Sequence, residues 1–266
     1  MSDLLLGREA VSMPMFKYSI RGRLQLRARL RELRLRHYAM QLFRKYQSST
    51  MIPRDYFISN VEIAARQLRN PKVRHGAIVE CGCWKGGMSA ALIEIGGPHR
   101  DYYFFDSFEG LPPAKAIDGP AALAWQANTA SPWYHDNCTA SVDDFRRTVR
   151  RTGCPEFRIH VFKGFFEQTF PTFTPPPIAL LRLDADWYDS TMECLRKFWD
   201  FVLPGGLILI DDYYTWDGCS RAVHDFLSNC KAPERIRQGP SDHFAFITKL
   251  PPPSVICPNP QGANKL

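Results

Sequence analysis

Two groups of aspartates close very apolar runs. Asp184-Ala185-Asp186 follows IALLRL, and Asp211-Asp212 follows GLILI, 27 and 28 residues after Asp184. If those runs are neighbouring strands, their tips lie about 5 Å apart and the acids meet at one sheet edge. Four carboxylates in one place repel strongly unless a cation neutralises them. An all-oxygen set suits Mg²⁺ or another divalent cation, which keeps positions for water or substrate. The competing reading is surface acids that cap helices or pair with Arg182 or Arg221. Adjacent acids directly after a run like LILI favour a site.

Two earlier acids extend the pattern. Glu80-Cys81-Gly82-Cys83-Trp84-Lys85-Gly86-Gly87 follows an apolar run and precedes a helical stretch. Glycines let the backbone approach a ligand closely. Glu80 stands where a Gly-x-Gly-x-x-Gly loop would have its first glycine. An acid there suits a cationic amine, such as the ammonium of S-adenosylmethionine, better than a pyrophosphate. Asp106 ends the next run, 26 residues after Glu80. An acid at that strand end takes ribose hydroxyls. The plainer alternatives are an ordinary turn for the first motif and a turn cap made by Asp106 or Ser107 for the second.

Such acids need a parallel sheet to carry them. From residue 70 onward short apolar runs alternate with helical stretches. Strands are expected at 76–82, 101–110, 157–164, 178–186, 206–214 and 243–250, and helices at 87–95, 141–153, 188–202 and 219–230. Ser141 is a natural N-cap with Asp143 and Asp144 in the first turn. This rhythm predicts an α/β fold: a Rossmann-like, mostly parallel, doubly wound sheet with a final antiparallel strand and ligands at the carboxyl ends of the strands. Residues 112–138 show no clear period, and their Trp125, Trp133, Tyr134 and His135 suit a lid over a substrate or a simple anchor for an inserted loop. His224 reads as structural, whereas His243 is a candidate pocket residue.

Charge divides the chain. Residues 1–50 hold eleven Lys or Arg against three acids; the remainder holds 23 against 24. A near-neutral body argues against a nucleic-acid groove. The excess lies in a helix expected at 20–46, where Arg23, Arg27, Arg31 and Arg34 form one stripe and Leu26, Leu30, Leu33 and Met40 another. This N-terminal helical extension either docks on its own domain or a dimer mate, the favoured reading, or meets an anionic membrane or partner. The expected organisation is a basic extension at 1–49, a catalytic domain at 50–250 and a flexible tail at 251–266. No run of about 18 apolar residues offers a transmembrane segment, and the first residues lack a secretory pattern. Eight scattered cysteines without a Cys-x₂-Cys pair point to reduced thiols in a cytoplasmic protein. Cys81 and Cys83 are expected on one face of their strand.

The phrases Thr50-Met51-Ile52, VECGCWKGG, DSFEGLP, Ser141, FKGFFEQT, LRLDADWYDST, LPGG, IDDY and RAVHDF lie in the order and spacing of one family. From about Thr50 to Lys249 the chain resembles the macrocin O-methyltransferase (TylF-like) family. The resemblance implies a Rossmann-like methyltransferase fold, S-adenosyl-L-methionine and Mg²⁺ as cofactors, and a homo-oligomer. It implies a role in natural-product biosynthesis, with a small-molecule hydroxyl, most naturally on a sugar, as acceptor; a catechol or phenol fits the same chemistry. Asp184, Asp211 and Asp212 match the family's metal ligands, and Asp184 or Asp186 its catalytic base. Cofactor contacts carry over to Met51, Glu80, Cys81, Gly82, Cys83, Trp84, Ser89, Asp106, Ser107, Gly110, Ser141, Gly164, Phe165 and Asp184. A nicotinamide dehydrogenase would need Gly-x-Gly-x-x-Gly or Tyr-x-x-x-Lys, and neither is present. An RNA methyltransferase would need a basic body, and a non-catalytic binding protein would have lost some of the acids.

Overall fold

The computed structural model describes residues 20–251. The tail expected to be flexible lies outside these residues except for Pro251, as does Cys257. Seven strands form one mixed sheet in the order β3-β2-β1-β4-β5-β7-β6. These are β1 (Ala77–Cys81), β2 (Tyr102–Asp106), β3 (Ile159–Lys163), β4 (Ile178–Leu183), β5 (Val202–Ile210), β6 (Arg237–Gln238) and β7 (Ala245–Thr248). The first five run parallel; β7 is antiparallel to β5, and β6 to β7. The order reverses beside β1, between β2 and β4, which is the switch point where such sheets open a ligand crevice.

Both faces are covered, as the continuous apolar runs require. Ile78, Phe104, Leu180 and Leu209 point to one side, beneath α1 (Ile20–Tyr46), α2 (Arg54–Leu68), α3 (Gly87–Gly96) and α6 (Val142–Arg150). Val79, Phe105, Leu181 and Ile210 point to the other, against α8 (Tyr188–Phe198) and α9 (Asp217–Asn229). The Ser141 hydroxyl accepts the Asp143 amide at 3.1 Å and starts α6. Between β2 and α6 lie α4 (Pro120–Ala127) and the single left-handed turn α5 (His135–Cys138), and the short α7 (Phe166–Thr169) follows β3.

Several local expectations change. β5 begins at Val202, because Gly205 and Gly206 already exchange backbone hydrogen bonds with Lys249. It stops at Ile210, so Asp211 and Asp212 lie on the turn beyond it. Helix α2 was not anticipated, although its buried Phe57, Val61, Ala64 and Leu68 recur with helical spacing. A helix, α4, occupies part of the segment without clear period. Cys81 and Cys83 pack on opposite faces of the sheet, contrary to the simple alternation rule. Gly82, at φ +83°, ends the strand between them and reverses the sense of the next side chain. Among the described residues the cysteines are free. Helix α1 is half docked: Leu35, Ala39, Leu42 and Tyr46 are buried against the body, while residues 23–34 are exposed on every side. No described helix is long and apolar enough to cross a membrane.

Candidate active site

A cavity of about 310 Å³ opens at the carboxyl ends of β1, β2, β4 and β5. The β1–α3 turn forms one wall. Gly82 is required there, since a Cβ would lie 1.8 Å from the Asp184 carbonyl oxygen. Asp106 holds the same turn from β2. Its Oδ2 accepts the Cys83 and Trp84 amides at 2.6 and 2.8 Å, and its Oδ1 accepts the Phe108 amide at 2.6 Å. Burial pushes this carboxyl above its usual range against the pull of those three donors. The turn-cap role set against ribose binding is therefore the geometry present, and Asp106 also faces the cavity.

Beneath the cavity lies a charge hub centred on Arg182, which is 1% exposed. In the parallel register Glu80 stands beside Arg182, so their side chains share a face. The guanidinium Nη1 meets Glu80 at 2.8 Å and Asp184 at 2.9 Å, and Nη2 meets Asp211 at 3.0 Å. The Ser89 hydroxyl donates to Glu80 from α3. Asn60 on α2 donates to Asp211 at 3.2 Å. Burial alone would pull Arg182 down, but the three carboxylates hold its pKa well above the ordinary guanidinium value. Glu80 is fully buried and does not line the cavity. Its carboxylate is engaged by Ser89 and Arg182, so the expected direct contact with a ligand ammonium is not offered.

The adjacent acids after β5 part company. Asp211 continues the facing of Leu207 and Leu209 toward Arg182 and Asn60, while Asp212 continues that of Ile208 and Ile210. Asp186 has a left-handed φ of +55°. That turn brings its amide to Asp212 Oδ2 at 3.1 Å, and its Oδ1 accepts the Trp216 indole N–H at 2.9 Å. Asp184, Asp186 and Asp212 thereby bring carboxylate oxygens within 4.8 Å of one another. Asp211 lines the same cavity but lies outside this trio. Burial, with the neighbouring acids pushing the same way, raises Asp186 to about 7. It raises Asp212 well above the carboxylate range. Asp211 reaches only about 6, because Arg182 opposes the burial. Arg182 thus meets Glu80, Asp184 and Asp211, while Asp186 and Asp212 add two carboxylates with no cationic partner, and no Lys or Arg among the described residues lines the cavity.

Of the other residues expected to contact a cofactor, Met51, Gly82, Cys83, Trp84, Ser107, Gly110 and Phe165 line this cavity with Asp106 and Asp184. Cys81, Ser89, Ser141 and Gly164 do not: Cys81 packs in the core, Ser89 holds Glu80, Ser141 caps α6, and Gly164 precedes the lining Phe165. Trp125 and His135 line the opposite wall, whereas Trp133 is exposed. Trp125 packs edge to face with Trp187 and Trp216, which ties the 112–138 segment to the acid cluster. His243 stacks on Tyr56 at 3.3 Å and lines the cavity; His224 meets the Tyr213 hydroxyl at 2.7 Å outside it. Asn60, Tyr56 and Trp216 were not foreseen. The only sequence signal for Asn60 was an amide among the apolar residues of an amphipathic helix.

The parallel sheet with its crossover helices and a cavity at the switch point defines a Rossmann-like class I methyltransferase fold. Consistent with that fold, the structure of the O-methyltransferase NovP superimposes with a TM-score of 0.64 at 23% identity, covering 76% of this chain and 83% of NovP. The chain belongs to the macrocin-O-methyltransferase (TylF) family, whose profile matches residues 11–239. One curated relative is the 8-demethyl-8-(2,3-dimethoxy-alpha-L-rhamnosyl)-tetracenomycin-C 4'-O-methyltransferase of Streptomyces olivaceus, 32% identical over 177 residues, which are 65% of this chain and 62% of that protein. Another is the demethyldecarbamoylnovobiocin O-methyltransferase of Streptomyces niveus, 29% identical over 155 residues, 57% and 58% of the two chains. The match therefore spans less than two thirds of either relative's length.

Proposed function

We propose that this protein is an S-adenosylmethionine- and divalent-cation-dependent O-methyltransferase acting on a hydroxyl of a sugar moiety in a natural product. The observation that carries the proposal is the carboxylate trio Asp184, Asp186 and Asp212 beside the glycine turn at one cavity. The buried excess of negative charge fits a cation. Asp184, Asp186 and Asp212 would hold the cation, with Asp211 as a neighbouring acid on the same cavity. Gly82, Cys83, Trp84, Asp106 and Phe165 would form the wall that holds the cofactor.

When bound, the cation supplies charge neutralisation and acidifies a nearby hydroxyl, and the cofactor supplies a methyl already activated on sulfur. The chain does the rest. Asp184 or Asp186 would take the hydroxyl proton, since both carboxylates line the cavity. The Trp216 indole fixes Asp186 in place. Trp125 and His135 close the acceptor side against water, leaving orientation to supply much of the rate. No Lys or Arg among the described residues lines the cavity, which suits an uncharged acceptor. The rhamnosyl group in one relative's name favours a sugar over a free phenol.

The test is calorimetry with S-adenosylhomocysteine, with and without Mg²⁺, followed by transfer of labelled methyl to glycosylated natural products. Binding of S-adenosylhomocysteine, and Mg²⁺-dependent transfer that EDTA stops, is the expected result. Full transfer in EDTA refutes the cation assignment, and failure to bind S-adenosylhomocysteine refutes the whole reading.

A further inference from the structure

The half of α1 that leaves the body carries leucines that none of the described residues covers. Leu26, Leu30 and Leu33 are 50%, 44% and 64% exposed. At 3.6 residues per turn they form one stripe, opposite the Leu35, Ala39, Leu42 and Tyr46 stripe buried against the body. Arginines border it on both sides, Arg29 and Arg36 along one edge, Arg27 and Arg34 along the other. Residues 20–36 contain seven arginines and a single acid, Glu32. That acid is held to the body by Arg66, whose Nε lies 2.7 Å from its carboxylate. The outward side therefore presents an apolar strip between two cationic rows.

We propose that this stripe docks α1 on an anionic phospholipid surface. Headgroup phosphates would take the guanidinium rows, and the acyl boundary would take the leucines. A second copy fits less well, because pairing two such helices sets arginine rows against each other. A nucleic acid would take the arginines and leave the leucines in water. The proposal is independent of the methyl-transfer reading, since none of these residues lines the cavity.

The test uses the full chain in cosedimentation with phosphatidylcholine vesicles, with and without phosphatidylglycerol. Binding should require phosphatidylglycerol and weaken as salt rises. Replacing three arginines, Arg27→Gln, Arg29→Gln and Arg34→Gln, should lower partitioning on the order of a hundredfold. Leu26→Ser, Leu30→Ser and Leu33→Ser together should abolish it. Neither set should move the melting temperature or S-adenosylhomocysteine binding, which shows that the body remains folded. Equal binding of both vesicle types, or full binding by the leucine variant, overturns the proposal. So does a dimer, seen by light scattering without vesicle binding, that the leucine variant disperses. RNA binding that ignores the leucines, in a chain that does not bind vesicles, overturns it as well.

Discussion

Replacing Asp212 with asparagine should stabilise the metal-free protein while removing its response to a divalent cation. Asp212 is buried, and its carboxylate lies within 4.8 Å of those of Asp184 and Asp186. Two like charges at that separation repel by about 3 kcal/mol at an effective dielectric of about 20. Without a cation the protein retains protons: burial first, and this repulsion second, raise Asp186 to about 7 and Asp212 well above its usual range. A carboxyl whose folded pKa lies above its unfolded one holds more protons in the folded state. Its contribution therefore falls as pH rises from about 4 to about 7. Asparagine keeps an oxygen to accept the Asp186 amide and removes the charge. Because Asp184 and Asp186 keep part of their surface open to the cavity, the gain at pH 8 is discounted to about 2 kcal/mol. For a chain of this size that is about 4–8 °C in melting temperature. Differential scanning fluorimetry in EDTA should show this gain at pH 8 and almost none below about pH 4. Adding Mg²⁺ or Mn²⁺ should raise the wild type and leave Asp212→Asn unmoved. A variant less stable than wild type in EDTA at pH 8, or an equal metal shift in both, would refute the reasoning.

Three further outcomes follow from the same geometry. Gly82→Ala forces a Cβ onto the Asp184 carbonyl at 1.8 Å and onto a left-handed backbone; denaturant unfolding should show a loss of about 3 kcal/mol or more, or no folded protein at all. Asp106→Ala strips three backbone amides of their acceptor; it should lower stability by about 2 kcal/mol and weaken S-adenosylhomocysteine binding by calorimetry, and unchanged affinity would remove Asp106 from the cofactor wall. Trp216→Phe keeps a ring in the aromatic cluster but loses the indole bond to Asp186; turnover should fall about tenfold with S-adenosylhomocysteine affinity unchanged, and unaltered turnover would show that Asp186 needs no anchor.

Much of this was legible in the chain. The apolar runs, their alternation with helices and the acids at their ends are local patterns, set by side-chain periodicity and capping. They place β1, β2, β4 and β5, the glycine turn and the aspartates without any tertiary information. Ser141 announces α6 for the same reason. What no local pattern contains is the partner across the sheet. The sequence offers Arg182 as one possible partner of the aspartates, and the pairing is real for Asp184 and Asp211, but Glu80 joins them only because β1 flanks β4. Asn60 joins them only because α2 packs over that face.

The division among the acids was decided by the assembled sheet. Strand alternation sends adjacent Asp211 and Asp212 to different surroundings, one beside a buried cation and one toward Asp184 and Asp186. A left-handed turn at Asp186 then closes the trio. The sequence by itself determined which oxygens stand at the strand ends, since that depends on order along the chain. Only the tertiary structure decided which carboxylates share a cavity and which neutralise an arginine, because charge interactions depend on distance and burial across the fold.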